Sequence, residues 1–381
     1  MRIAIDASRN RSGGTIAHLD GILSNIPDDL QSSLEIHIWS YKACLDKLPD
    51  YQWLHKHSPK QLEKSIFHQT FWQRFIFPKE LERRRCDILF KTTASSICPF
   101  EPSVTLSQDM LPFEPGEAKR FGLSIARIRL KILQALYIRS LRSSQGVIFL
   151  TNYASEMIQR KTGKLNEYRI IPHGVPDFFR IPNDQIESKI QDDSNGEHIK
   201  VIYISELSPY KHQDKVAQSI YELNKKGFNF DLTLVGGGSG SFNKKFMKLL
   251  KKIDPNQIFI HLLPFLERDE LPTIISQSDI YLFASSCENL PITVLEGMAS
   301  GKPMVSSNRG PMPEVLDDGA FFFDPENISS IQDALLQAIK NPDIAKLKVQ
   351  NNLTRSKIYN WKKCSHDTFE FLRTVNEDYS N

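Results

Sequence analysis

Short apolar runs alternate along this chain with stretches in which apolar residues return every three or four positions. The runs of the first half are Arg2 to Ala7, Ile36 to Trp39, Ile88 to Phe90, Ser103 to Leu106, Gly146 to Leu150 and Tyr168 to Ile171. Those of the second half are Lys200 to Ser205, Phe230 to Val235, Ile258 to Leu262, Asp279 to Ala284, Pro303 to Ser306 and Ala320 to Phe323, with helical patterns such as Asp214 to Lys225 between them. Apolar strands separated by amphipathic helices predict parallel sheets covered on both faces. From about Asp177 to His198 the pattern lapses into polar residues and turn formers, including Pro182, Asn183, Asp192, Asp193, Ser194, Asn195 and Gly196, which predicts a linker. The expected fold class is α/β, with two Rossmann-like domains, residues 1–180 and 198–358, facing an interdomain cleft.

Composition narrows the class. At 381 residues the chain exceeds the size at which one core stops growing, which agrees with two domains. Hydrophobic content of 40% and charged content of 24% are those of a globular protein and exclude a disordered one. There is no apolar run of about 18 residues to span a membrane. The opening Met1 to Ala7 turns polar too soon for a signal peptide, so a cytoplasmic location is expected. Cys44, Cys86, Cys98, Cys287 and Cys364 are scattered and show neither zinc nor disulfide spacing. A net charge of +3 gives no reason to expect nucleic acid.

The chemistry concentrates in Cys287-Glu288-Asn289-Leu290-Pro291-Ile292-Thr293-Val294-Leu295-Glu296, which follows a predicted buried strand. Pro291 suits the first position of a helix, and the unpaired N–H groups and positive dipole end of that terminus favour a diphosphate. Glu288 and Glu296 repel such an anion, so their natural partners are sugar hydroxyls. The alternative is an ordinary strand-loop-helix with solvated acids. Lys211, in the loop Ser205 to His212 after another strand, is a point charge that reaches a diphosphate or else a solvated surface lysine. Gly236, Gly237 and Gly238 let backbone approach a ligand closely, or form a plain turn.

Together these segments resemble the retaining nucleotide-sugar glycosyltransferases of family four, group one, with the GT-B fold. The pattern continues through Gly297-Met298-Ala299-Ser300-Gly301-Lys302-Pro303, Gly310-Pro311-Met312-Pro313-Glu314-Val315 and Phe323-Asp324-Pro325. The resemblance covers nearly the whole chain. It implies that Glu296 grips the ribose, that Glu288 contacts the donor sugar beside Asn289 and Leu290, and that Lys211 neutralises the diphosphate. It further implies that Gly13 and Gly14 approach the phosphates and that Pro264 and Phe265 cradle the base. Ile171 to Val175, with His173, resembles the segment leading out of the first domain, and Tyr359-Asn360-Trp361 a carboxyl-terminal helix, residues 359–381, that packs back on it.

Two departures stand out. Glu206 occupies the position of an arginine, with Arg309 as a candidate replacement cation. Gln108 in Ser107-Gln108-Asp109-Met110 occupies the position of a histidine; it can orient a hydroxyl but cannot transfer a proton. Asp109 is a candidate base or a loop-ordering residue. The implied reaction moves a hexose from a nucleoside diphosphate sugar, the co-substrate, to a saccharide or lipid-linked acceptor with retention, in surface polysaccharide assembly. The chain has no Asp-x-Asp triplet, and no metal or other cofactor is expected to be needed. A non-catalytic nucleotide-sugar binder is the alternative. A dinucleotide oxidoreductase is disfavoured because no Gly-x-Gly-x-x-Gly follows the first strand.

Residues 119–142 carry Lys119, Arg120, Arg127, Arg129, Lys131, Arg139 and Arg142 with no acid, interleaved with Ile125, Ile128, Ile132 and Leu136. Nearby, Phe67, Phe71, Trp72, Phe75 and Phe77 mix with arginines and a lysine. Such patterns suit either core helices with basic rims or peripheral contact with an anionic membrane at the inner face of the cell membrane.

Overall fold

The apolar runs pair as parallel strands in the computed structural model, which describes residues 1–10, 13–181 and 198–380. Two units form, Met1–Gly174 with Tyr359–Asn381, and Val175–Ile358. The stretch from Pro182 to Gly196, where a linker is expected, lies outside the described residues.

The first unit holds β1 (Arg2–Asp6), β2 (Glu35–Trp39), β3 (Leu54–His57), β4 (Ile88–Lys91), β5 (Ser103–Leu106), β6 (Gly146–Phe149) and β7 (Tyr168–Ile170), in the order β3-β2-β1-β4-β5-β6-β7. The second holds β8 (Ile199–Ile204), β9 (Phe230–Val235), β10 (Ile260–Leu263), β11 (Ile280–Phe283), β12 (Met304–Ser307) and β13 (Ala320–Phe323), in the order β10-β9-β8-β11-β12-β13. Both are doubly wound sheets. In each, the strand order reverses once, between β1 and β4 and between β8 and β11, and ligands of such sheets bind at the carboxyl ends of the strands beside that reversal.

β3 is the strand that the apolar pattern misses. Only Leu54 of its four residues is apolar, as suits an edge strand with one neighbour. β10 begins two residues later than expected because the Asp254 carboxylate accepts the N–H groups of Ile258, Phe259 and Ile260, which holds that segment as a capped loop. All five cysteines are buried and free.

The helix Trp361–Ser380 belongs to the first unit, and its first residue fixes it there. A Cβ at Gly21 would lie 2.4 Å from the Trp361 ring, and one at Gly174 would lie 2.3 Å from the Trp361 nitrogen. Only glycine fits either place. His18 Nδ1 meets His173 Nδ1 at 3.0 Å beneath the same indole. His173, expected from the sequence as an acceptor-side residue, is buried and meets His18.

The basic stretch resolves into a short turn, Glu117–Phe121, and the helix Ile125–Ser143. Aliphatics at helical spacing are normally buried, but here Leu130 and Tyr137 face the core while Leu123, Ile125, Ile128 and Ile132 are exposed, Ile125 to 85%. The aromatic group divides in the same way: Trp72 and Phe77 are buried, whereas Phe67, Phe71 and Phe75 are exposed. Reading both segments as core helices is therefore half right. No helix among the described residues is long and apolar enough to cross a membrane.

Burial holds the pKa of His18 down at about 3, against 6.5 in water. Between those values the unfolded chain binds a proton that the folded one refuses. Stability is full above pH 6.5 and falls by about 1.4 kcal/mol per pH unit below it. Thermal melts from about pH 7 to about pH 4 are expected to show a shallower acid loss in His18→Gln than in the wild type. Parallel profiles would rule His18 out as the cause.

Candidate active site

The reversal between β8 and β11 places two loops side by side. After β8 come Ser205 to Ser208, the turn Pro209–Lys211 and then His212, whose φ of 52° redirects the chain into the helix Gln213–Lys225. After β11 comes the segment Ala284 to Pro291. The loops are stitched together: Ser286 N–H donates to the Tyr210 carbonyl at 2.8 Å, and His212 Nε2 meets the Ser286 hydroxyl at 2.9 Å. Across this seam Lys211 Nζ donates to Glu288 Oε1 in a short, mostly buried ion pair. The Tyr203 hydroxyl holds the Lys211 carbonyl at 2.8 Å, so the lysine starts from a fixed backbone.

Glu296 lies one helix turn into Ile292–Ala299, with only 2% of its surface exposed. Burial pushes its carboxyl above the ordinary range, and Arg268, whose Nε donates to it at 2.9 Å, offsets part of that. Buried Arg268 Nη2 has no hydrogen-bond partner among the described residues. Pro291 is the residue before the helix, with ψ of 122°, where the sequence pattern suggests the first helical position. Val294 N–H donates to the Pro291 carbonyl at 3.0 Å, and the N–H groups of Ile292 and Thr293 are those that the helix itself leaves without acceptors. Gly297 sits on the Tyr281 ring, where a Cβ would come within 2.8 Å, and this brings the helix close to β11.

The neighbouring loops complete the arrangement. Gly310 lies against the Glu288 backbone, where a Cβ would meet its nitrogen at 3.7 Å. Arg309 beside it is half exposed and pairs with Asp324 at 3.1 Å. Asn289 and Leu290 are buried between the two glutamates. Pro264 and Phe265 are exposed at the start of the loop that carries Arg268. Gly236 is needed for a different reason from the one suggested by its sequence: a Cβ there would meet the Ser205 carbonyl oxygen at 2.4 Å, so its close approach is to protein. At Gly237 a Cβ would meet nothing within 4 Å. Glu206 is exposed and accepts from the Tyr210 hydroxyl at 3.5 Å.

Residues 184–356 match the family model of glycosyl transferases group 1. Over that span the second unit is similar to glycosyl transferases group 1. By sequence it is similar to O-antigen chain mannosyltransferase B of Escherichia coli, at 23% identity over 174 residues, 46% of this chain and 45% of that protein. The chain spans about half the length of the curated relatives it matches. By fold, sucrose-phosphate synthase from Thermosynechococcus elongatus superposes with a TM-score of 0.78 at 13% identity, covering 98% of this chain and 99% of that one. The Anabaena protein HepE, solved with UDP-glucose, superposes at 0.74 with 16% identity over 98% and 100%. The fold is that of GT-B glycosyltransferases.

The second unit brings together Lys211, Glu288, Asn289, Leu290, Gly310 and Arg309, with Glu296 one turn into the helix. The first unit carries Gly13, Gly14, Gln108, Asp109 and His173. Gly13 has φ of 65° with nothing near its Cβ position, and Gly14 opens the helix Gly14–Leu23. Asp109 accepts from the Tyr137 hydroxyl at 3.1 Å and from Leu111 N–H at 3.4 Å. Gln108 Nε2 is buried without a partner among the described residues.

Arg268 escaped the sequence reading because it sits in the charged run Glu267-Arg268-Asp269-Glu270, which reads as solvated surface. The usable signal was its place after β10, at a strand carboxyl end. Arg268→Ala is expected to lower stability by about 2 kcal/mol, because it leaves Glu296 buried beside no cation. Urea denaturation should show that loss at neutral pH and recovery in Arg268→Ala with Glu296→Gln. A double variant no more stable than the single one would contradict the pairing.

Proposed function

We propose that the protein is a retaining hexosyltransferase that takes its sugar from a nucleoside diphosphate donor and passes it to a saccharide or lipid-linked saccharide acceptor. The observation that carries this reading is the Lys211–Glu288 pair spanning the β8/β11 reversal. A donor supplies what each partner lacks. Its diphosphate takes Lys211 and the first turn of Ile292–Ala299, and its sugar hydroxyls take the Glu288 carboxylate. Its ribose hydroxyls take Glu296, and the spare Arg268 Nη2 donor faces the same nucleoside.

As the bond from the anomeric carbon to the phosphate oxygen stretches, negative charge grows on the leaving β-phosphate. Lys211 and the helix terminus stabilise that charge in place. The leaving phosphate itself removes the acceptor proton, which agrees with Asp109 being engaged by Tyr137 and with Gln108 being unable to titrate. Charge neutralisation by a lysine and a helix end makes a catalytic metal unnecessary. The acceptor's lipid places the protein at an anionic membrane, with the exposed Leu123, Ile125, Ile128 and Ile132 among their arginines and lysine as the contact.

Glu288→Gln is expected to lower kcat about 100-fold with little change in donor affinity. Glu296→Gln is expected to weaken donor binding about tenfold through the ribose. Isothermal titration and initial rates separate the two, and equal donor affinity in Glu296→Gln and wild type would count against its role. Rates should survive chelator; loss restored by magnesium would sink the metal-free mechanism. Tight donor binding with no turnover for any acceptor would replace transfer by the non-catalytic reading. Co-sedimentation should favour anionic over neutral vesicles and fail in Ile125→Glu with Ile128→Glu, and equal binding to both vesicles would remove the membrane contact.

A further inference from the structure

At the β3 edge of the first sheet, β2 and β3 set four titratable side chains on one face. Strand alternation carries Glu35 and His37 from β2 and His55 and His57 from β3 to that face, with His37 directly opposite His55 in the register. His37 Nε2 lies 3.1 Å and His55 Nε2 3.8 Å from the same Glu35 oxygen, Oε1. The three ligand atoms lie within 4.8 Å of one another. Tetrahedral zinc, with bonds of about 2.0–2.1 Å, needs its ligands about 3.3 Å apart, so small rotations close the set.

The surrounding groups are those that orient a metal site. His37 Nδ1 rests on His57 Nε2 at 3.0 Å, and the second Glu35 oxygen accepts from Arg2 Nε at 2.7 Å, so each of these two ligands is held from behind. His37 is buried, while Glu35 and His55 are partly exposed and leave an entry path. Stacking three imidazoles, with ring centroids 4.7 Å and 5.3 Å from His37, around a single acid makes little sense as packing alone.

We propose that Glu35, His37 and His55 bind a Zn2+ ion that clips the polar edge strand β3 to β2. Without metal, His37 Nε2–H donates to Glu35 and Nδ1 accepts from His57. With metal, the Nε2 lone pair takes the ion, the His37 proton sits on Nδ1 and points at His57, and both rings stay neutral, so no proton is released. A water fills the fourth position. Arg2 and Arg84, whose guanidinium lies 6.0 Å over the Trp39 ring, put positive charge nearby and set the affinity nearer micromolar than nanomolar. The clip is structural and independent of sugar transfer.

Chelator-stripped, untagged protein titrated with zinc chloride is expected to bind one Zn2+ per chain and to melt about 5 °C higher at saturation, with magnesium giving no shift. His55→Gln, at a partly exposed edge position, should melt like the stripped wild type and bind Zn2+ at least tenfold more weakly. Cobalt bound to the wild-type protein should give the strong visible bands of a tetrahedral site without thiolate charge transfer. No saturable binding, undiminished binding in His55→Gln, or the pale spectrum of octahedral cobalt would each overturn the proposal.

Discussion

A carboxylate withdrawn from water must find a cation or give up its charge, and the second unit depends on how Glu288 and Glu296 meet that demand. Each has found one on a different loop: Lys211 after β8 and Arg268 after β10. The pairings decide more than local charge. They tie together the loops following β8, β10 and β11. Within the second unit each of the two acids thus has a cation as its nearest partner. The helix terminus after Pro291 then matters, because it supplies positive potential that no carboxylate has already claimed.

Much of the fold could be read from the chain because strands buried on both faces write themselves as continuous apolar runs. The twelve runs named from sequence all lie in sheets, while β3 went unseen because an edge strand needs no such run. The same physics explains the helix Ile125–Ser143. Periodicity announces an amphipathic helix but does not say which stripe meets the core, and here Leu130 and Tyr137 do so while the isoleucines face outward. Strand ends shift where a side chain takes over the backbone donors, as Asp254 does before β10.

The site was legible where spacing carries chemistry and illegible where only tertiary contact does. Glu288, Glu296 and Lys211 stand at positions that a strand followed by a helix makes meaningful. Arg268 hides in a charged run, and its value comes from a partner 28 residues away. Glu206 reads as a missing cation, yet it is exposed, and Lys211 already has its counter-charge. Gly236 reads as room for a ligand but is room for Ser205. The Glu35, His37 and His55 cluster could not be found without β3 and its register, since histidines 18 residues apart become neighbours only across a strand pair.

The chain's return to its first unit rests on steric absence rather than on any strong bond. Trp361 occupies space that side chains at Gly21 and Gly174 would fill, so the helix Trp361–Ser380 starts from one seat only. Ser365 donates to the Ile22 carbonyl at 2.7 Å and secures the next turn. Because Gly21 belongs to the helix that Gly14 opens, and Gly174 closes the segment containing His173, the indole joins the glycine loop, the exit of the first unit and the chain's last helix. A substitution at any of the three would disturb the other two. The fold thus places its least replaceable packing at the point where these three segments meet.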